Sequence, residues 1–197
     1  MKIKAIATMI VTVVAGSGFL ANNALAGTTS ATLTVDSIVT MGTCTSTLLD
    51  TNDTQISTVA FGDVYISELV NKSKKKAFKI RFSDCAGIPG KKAKVKLSPR
   101  TPGCATNNAA FANKSSNGPA TNAAVEVWTT ITPGENESVQ FNCSTVNTQT
   151  VDLSTVTVTR PYDYNLSAQM IIANGGTVSS VTPGDFLSPA TFTITYQ

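Results

Sequence analysis

Four cysteines are the residues of this chain best suited to covalent chemistry, and the absence of histidine limits what that chemistry can be. Without histidine, serine–histidine and cysteine–histidine catalytic pairs and histidine metal sites are all excluded. No two cysteines have the C-x-x-C spacing that is typical of redox and zinc sites. An even number of cysteines predicts disulfides instead if the chain is exported from the cytoplasm. The four are Cys44, Cys85, Cys104 and Cys143.

Three pairings of these cysteines are possible, and the sequence leaves the choice open. We favour Cys44 with Cys85 and Cys104 with Cys143, because each bridge then joins neighbouring parts of the chain. Loops of this length make each disulfide worth about 4 kcal/mol by the chain-entropy model.

Two pairs of carboxylates could in principle serve acid–base catalysis: Asp50 with Asp53, and Glu135 with Glu137. All four lie in predicted turns, where acidic residues are common because they bind nearby backbone groups. The chain also has no glycine-rich phosphate loop after a strand. We therefore expect no enzymatic activity, no cofactor and no metal.

Aromatic side chains offer another kind of chemistry, which is stacking on the rings of a host glycan. Trp128 lies within a predicted strand and is expected in the core or in the lining of a groove. Tyr162 and Tyr164 follow Arg160-Pro161 in a predicted turn and are the better candidates for sugar contact.

Basic residues alternate with apolar residues in two segments. Lys79 and Arg81 alternate within the first, and Lys94 and Lys96 within the second. This alternation is typical of solvated strand faces. Attraction to anionic surfaces is the less favoured interpretation.

The N-terminal segment has the composition of a secretory signal. Lys2 and Lys4 precede an apolar run over residues 5–15, and a small-residue cleavage site ends at Ala26. We expect residues 1–26 to be removed on export, which lowers the formal net charge from +3 to +1. Both the charge and the compartment argue against nucleic acid as a partner.

The rest of the chain has the sequence pattern of an all-β protein. Short segments rich in Val, Ile, Thr and Phe alternate in character and are separated by Gly, Pro and Asn turns. This pattern predicts an antiparallel β-sandwich, with a helical turn over 64–70 and a long loop over 101–122. The predicted strands are 31–41, 45–49, 56–61, 77–83, 93–98, 124–131, 138–141, 150–159, 166–173 and 190–196.

The predicted strand before the first cysteine has one mainly apolar face. Its side chains on that face occupy every second position before Cys44, and a flexible Gly-Thr-Thr-Ser segment precedes them. They are Ala31, Leu33, Val35, Ser37 and Val39.

The C-terminal segment also has one apolar face. Its apolar residues alternate with threonines, and an unpaired edge strand with an apolar face is a template for another chain. A glycine stands fourteenth from the end and an aromatic residue is penultimate. The residues of this pattern are Gly184, Phe186, Ala190, Phe192, Ile194 and Tyr196.

Together, this arm, the cysteine spacing and the C-terminal pattern resemble the chaperone–usher pilus subunits of the type 1 fimbrial protein family. The family's phenylalanine-glycine element is matched by Phe61-Gly62-Asp63-Val64, and its strand into the second cysteine by the segment 78–85. This chain has Ser37 where the family usually has glycine.

The resemblance implies an incomplete immunoglobulin-like β-sandwich over residues 44–197, lacking its last strand. A donor strand from a chaperone or a neighbouring subunit completes that sandwich. Residues 27–43 would be the donor-strand extension, and the carboxylate of Gln197 would anchor the chaperone. Expected partners are a periplasmic pilus chaperone, an outer-membrane usher and other pilus subunits.

The expected function is that of a structural subunit, exported through the periplasm to the bacterial cell surface. There it would polymerise into a fimbrium by donor-strand exchange and contribute to adhesion. The alternative is a minor tip or adaptor subunit, or an adhesin that binds a host glycan directly. The sequence leaves the receptor, the pilus system and the order of neighbours open.

Overall fold

The computed structural model describes residues 42–100, 103–105, 109–173 and 176–197. The predicted strand over 31–41 and the predicted signal segment lie outside these ranges. Within them the regular secondary structure is mostly strand, with one short helix and one 3₁₀ turn. In chain order the elements are β1 (Thr43–Leu49), α1 (Ile66–Val70), β2 (Lys75–Ala86), β3 (Lys92–Pro99), β4 (Phe111–Ala112), β5 (Ala123–Trp128), β6 (Gln140–Phe141), β7 (Thr148–Asp152), β8 (Tyr162–Ile172), a 3₁₀ turn (Val178–Ser180) and β9 (Ala190–Tyr196).

The strands form two antiparallel sheets. The larger sheet has the order β1-β2-β8-β5-β4, with β6 also paired to β5. The smaller sheet has the order β7-β3-β9. Strands that are distant in the chain are neighbours in both sheets, as expected for a sandwich.

The larger core cluster lies between the two sheets. From the larger sheet, Phe78, Ile80 and Phe82 of β2 are buried in it. From the smaller sheet, Val95 and Leu97 of β3 are buried in the same cluster. In both strands the residues between these positions are more exposed, because successive side chains point to opposite faces. The predicted all-β sandwich is confirmed.

Both disulfides of the favoured pairing are present in the structure. Cys44 and Cys85, 41 residues apart, join the edge strand β1 to β2. Cys104 and Cys143, 39 residues apart, attach part of the predicted long loop to the chain that follows β6. Most of that loop's described residues lack strand structure, apart from the two-residue strand β4.

Several predicted strand boundaries are wrong. No strand forms over 56–61, although its apolar side chains pack against the core. The strand predicted over 150–159 ends at Asp152, whose carboxylate accepts a 2.8 Å hydrogen bond from the backbone N–H of Ser154 and turns the chain. The segment predicted as a turn around Tyr162 is instead the start of β8.

The predicted helical turn over 64–70 is confirmed as α1. The Glu68 carboxylate accepts a 2.8 Å hydrogen bond from the backbone N–H of Tyr65, which satisfies a donor at the helix start. Within the described ranges, the helices are too short and insufficiently apolar to cross a membrane.

Candidate functional site

The candidate site lies along β9, the last strand of the chain. β9 pairs with β3 in a register that places Phe192 opposite Leu97 and Ile194 opposite Val95. On its other side, none of the strands in the described part of the chain pairs with it. The backbone N–H and C=O groups along that edge are therefore open to an added strand.

Burial changes sharply between these two paired strands. Val95 is 0% exposed and Leu97 is 2% exposed, whereas their cross-strand partners Ile194 and Phe192 are only half-buried. The partners share one face of one sheet, so the difference is not caused by side-chain direction. The core is fully covered at β3 and partly open at β9.

Aromatic contacts hold β9 against the larger sheet. The ring centroid of Phe192 lies 6.3 Å from that of Phe78 and 5.9 Å from that of Phe141. The ring of Tyr196 meets that of Phe82 edge-on, with centroids 6.5 Å apart. Such pairs contribute about 0.5–1.5 kcal/mol each beyond the area they bury. The inward-facing side chains of β9 are thus fixed in position against the core.

Hydrogen bonds to both sheets fix the C-terminal end of β9. The Tyr196 hydroxyl donates a 3.1 Å hydrogen bond to the carbonyl oxygen of Cys44, which links β9 to β1 of the other sheet. Gln197 and Lys92 exchange two backbone hydrogen bonds, of 2.9 and 3.1 Å. A Cβ atom on Gly90 would come within 2.8 Å of the Gln197 backbone, so the end of the chain packs closely there.

Gly184 occupies a position that only glycine can fill. Its φ angle is +155°, and a Cβ atom there would lie 2.3 Å from the carbonyl oxygen of Gly118 and 2.5 Å from the amide nitrogen of Ala120. Asp185 then bonds to both of these residues through its backbone. The glycine of the C-terminal pattern therefore fixes how the chain enters β9.

A second row of half-buried side chains comes from the segment that the sequence predicted as a strand. Ile56, Val59, Phe61 and Val64 pack against the same core cluster as the inward row of β9. No ladder pairs their backbone within the described ranges, apart from a bridge at the neighbouring Gln55. The alternation of this segment predicted its apolar face, but it did not indicate that no neighbouring strand pairs with its backbone.

Two basic residues of β2, Lys79 and Arg81, form an ion cluster with Asp53 and Asp163. Arg81 donates hydrogen bonds of 2.6 and 2.8 Å to the Asp163 carboxylate, and Lys79 lies 2.5 Å from Asp53 and 2.8 Å from Asp163. The bonds from Arg81 lower the pKa of Asp163 to about 2. The hydrogen bond from Lys79 likewise lowers the pKa of Asp53. Lys79 and Arg81 are thus charge-paired rather than free to attract an anionic partner.

Asp50 and Asp53, one of the two candidate pairs of carboxylates, have structural roles. Asp53 belongs to the ion cluster. The Asp50 carboxylate accepts 2.8 Å hydrogen bonds from the backbone N–H groups of Asn52 and Thr54, which closes the turn after β1. The structure therefore confirms that Asp50 is a turn residue.

The three aromatic candidates for sugar contact lie on β5 and β8. Trp128 is half-buried at the end of β5 and donates a 3.3 Å hydrogen bond to Glu126. Tyr162 is 37% exposed at the start of β8. Tyr164 is half-buried, and burial raises its pKa above the ordinary tyrosine value.

Comparison with known proteins identifies the family. A family model described as fimbrial protein matches residues 29–197. The chain belongs to the fimbrial protein family. It is also 49% identical over 175 residues to the uncharacterized fimbrial-like protein YadL of Escherichia coli K12, with 87% of each chain covered. The resemblance inferred from the sequence is confirmed.

Two solved structures are similar at lower identity. The P pilus rod subunit PapA matches with a TM-score of 0.46 and 21% identity, over 72% of this chain and 93% of PapA. The CupB6 tip adhesin from Pseudomonas aeruginosa matches with a TM-score of 0.45 and 18% identity, over 62% of this chain and 31% of the adhesin.

Family membership defines the general role of the chain. The fimbrial protein family is structural and not enzymatic, so this chain is a fimbrial subunit. Its place is the surface fimbrium, and its partners include other pilus subunits.

Proposed function

We propose that this subunit polymerises by donor-strand exchange. In this proposal the arm of one subunit, residues 27–43, inserts along β9 of another. The open edge of β9, with its half-buried Phe192 and Ile194, forms one side of a groove. The residues that enter this groove are those of the arm's apolar face. Addition of a strand to an open sheet edge is a general mode of recognition, and complementation between pilus chaperones and pilins is a known instance of it.

The open edge of β9 is the observation that carries the proposal. Phe192 and Ile194 are half-buried beside fully buried partners on β3, and within the described ranges β9 has a ladder on one side only. A strand laid along that edge would bond to the free backbone groups and cover the exposed row. No other segment in the described part of the chain combines an unpaired strand edge with a row of aromatic contacts to the core.

The composition of the arm suits this groove. A strand added to β9 directs every second side chain at the core, and the arm has Leu33, Val35 and Val39 at such positions. Each gains about 1.5–3 kcal/mol on full burial, and each backbone hydrogen bond adds about 0.5–1.5 kcal/mol. Even after the ordering costs, this predicts a joint that dissociates very slowly.

Before assembly the groove needs another occupant, because its apolar row would otherwise promote aggregation. We propose that a periplasmic chaperone supplies the first strand after residues 1–26 are removed, and that an outer-membrane usher exchanges it for the arm. The backbone of Gln197 is fixed against Lys92 and Gly90. This gives the terminal carboxylate a defined position for a basic chaperone group.

Sheared surface fibres run on an SDS gel without heating test the proposal, with detection of this chain. Donor-strand joints should survive SDS, so a shaft subunit gives a regular ladder that collapses to monomer on boiling. A single unboiled band containing other subunits indicates an adaptor. Free monomer under both conditions would refute donor-strand exchange.

Variants of the arm make this test specific. Leu33→Asp and Val35→Asp should abolish the ladder, because each would bury a charge in the groove. Thr34→Asp, on the polar face of the same arm, is the matched control and should assemble. The chaperone complex should form in all three variants, since the chaperone uses the groove and not the arm. Loss of that complex in Leu33→Asp would contradict the role assigned to the arm.

A further inference from the structure

The outer face of the smaller sheet carries a column of lysines on β3. Successive side chains of this strand alternate between the core and the outer face, and those at positions 93, 95 and 97 are buried. The side chains between them and before them are all basic, so three positive charges share one face of a single strand. This lysine column consists of Lys92, Lys94 and Lys96.

Two members of the lysine column have no acidic neighbour on the adjacent strands. Lys92 is opposite Asp152 of β7 and is bonded through its backbone to the C-terminal residue Gln197. Lys94 and Lys96 instead have only threonines opposite them, and neither forms an ion pair within the described ranges. These threonines are Thr148 and Thr150 of β7 and Thr193 and Thr195 of β9.

A strand added to the open edge of β9 would lie within reach of these two lysines. Paired strands are about 4.8 Å apart, so the added strand would lie about 9.6 Å from β3. The lysine side chain has a flexible four-carbon stem, and only the short side chains of Thr193 and Thr195 stand between. A carboxylate on the outer face of the added strand could therefore meet the ammonium group of Lys94 or Lys96.

The arm proposed to enter this groove has a single charged side chain, and its charge is negative. Asp36 is the only acidic or basic residue within 27–43. Its neighbours Val35 and Ser37 belong to the face directed at the groove and the core, so Asp36 belongs to the opposite face. Residues that oppose each other across paired strands share one face of the sheet. An arm laid along β9 would therefore present Asp36 on the same side as the lysine column.

We propose that Lys94 and Lys96 recognise the arm of an incoming copy of the chain by pairing with Asp36. This inference rests on the proposed function, because it concerns the strand that enters the groove along β9. The ion pair also selects the register of the arm. A slip of one residue would direct Asp36 at the core, where an unpaired charge is costly. A register that places Asp36 opposite Thr191 would offer it Ser98 of β3 instead of a lysine.

The ion pair acts mainly on the rate at which the arm is captured. Lys96 is exposed and Lys94 is half-buried, and ion pairs that stay in contact with solvent add little to stability. Complementary charges do speed the encounter between partners, and salt screens this attraction. We therefore expect a rate of capture that depends on salt, while the stability of the finished joint depends mainly on the apolar face of the arm.

Capture of a biotinylated peptide of residues 27–43 measures this rate. The acceptor is the mature chain purified from the periplasm as the complex with its chaperone, and SDS-resistant product is followed over time on unheated gels. At low salt the Asp36→Asn peptide should be captured about three- to fivefold more slowly than the unchanged peptide. In about 1 M salt, where the Debye length is about 3 Å, the two rates should converge.

Variants of the lysine column assign the effect to its two unpaired members. Lys94→Ala combined with Lys96→Ala should slow capture of the unchanged peptide to the same extent, with no further effect on the Asp36→Asn peptide. The combination of Lys94→Glu and Lys96→Glu should capture an Asp36→Lys peptide faster than the unchanged one. Lys75→Ala is the matched control, because Lys75 is exposed on β2 of the larger sheet and makes no ion pair in the described structure. It should leave the rate unchanged.

The outcomes separate this inference from the proposed function. Equal capture of the unchanged and Asp36→Asn peptides at low salt would overturn the inference and leave donor-strand exchange standing. Equal slowing by Lys75→Ala would also overturn it, since a general positive field would then attract the arm. If no SDS-resistant product forms with any peptide, donor-strand exchange itself is refuted, and this inference with it.

Discussion

Replacing Phe192 by alanine should weaken the fold more than any change on the outward face of β9. The Phe192 ring contacts Phe78 and Phe141, at centroid distances of 6.3 and 5.9 Å. Both partners lie in the core cluster, so the substitution removes the contact between the open strand and the larger sheet.

The magnitude follows from these contacts. Two aromatic pairs at about 0.5–1.5 kcal/mol each give about 1–3 kcal/mol. Loss of a fully buried phenylalanine costs about 3–5 kcal/mol in total, and Phe192 is only half-buried until a donor strand covers it. We therefore expect a loss of about 3 kcal/mol in the complemented subunit. For a domain of this size that lowers the melting temperature by about 6–12 °C.

Circular dichroism melts of the subunit bound to a synthetic peptide of residues 31–41, at a fixed saturating concentration, measure this loss. Thr193→Ala is the matched control, because Thr193 is exposed on the other face of the same strand. Its melting temperature should change by less than 2 °C, as is usual for surface substitutions. Equal losses in Phe192→Ala and Thr193→Ala would refute the claim that the inward row of β9 joins the core.

Two further predictions concern the rest of the domain. Replacing both Cys104 and Cys143 by serine should lower the free energy of unfolding by about 4 kcal/mol, because a loop of this length is released in the unfolded chain; chemical denaturation measures this, and an unchanged midpoint would contradict it. The pKa of Asp163 is about 2, below its ordinary 3.8, so its ionised form stabilises the fold above pH 3.8 and this contribution is lost as the pH falls toward 2. Acid unfolding of Asp163→Asn should therefore depend less on pH in that range, and an unchanged pH profile would contradict the pairing.

The sequence was sufficient to predict the elements in which alternation and pairing agree. β3 and β9 both alternate strictly, and both form strands with their apolar faces toward the core. The favoured cysteine pairing is present in the structure, but the sequence alone left three pairings open. The open edge of β9 was inferred from the family resemblance and from the position of the strand in the chain.

Alternation alone did not predict the strands correctly where backbone pairing depends on distant parts of the chain. The segment 56–61 has apolar side chains in contact with the core, but no neighbouring strand completes its ladder within the described ranges. Tyr162 follows Arg160-Pro161, which is typical of a turn, yet its ladder with Phe82 of β2 makes it a strand residue.

Disulfide trapping between subunits tests the central claim most directly. Thr193 lies on the outward face of β9, and Thr34 and Asp36 are polar positions of the arm, so cysteines at these sites would not enter the groove. Chains carrying Thr193→Cys with either Thr34→Cys or Asp36→Cys are assembled into fibres, oxidised, boiled in SDS and separated. Donor-strand exchange predicts that at least one pair gives a ladder that survives boiling and collapses only with reductant. Cross-links confined to single chains, or none with either pair, would contradict it.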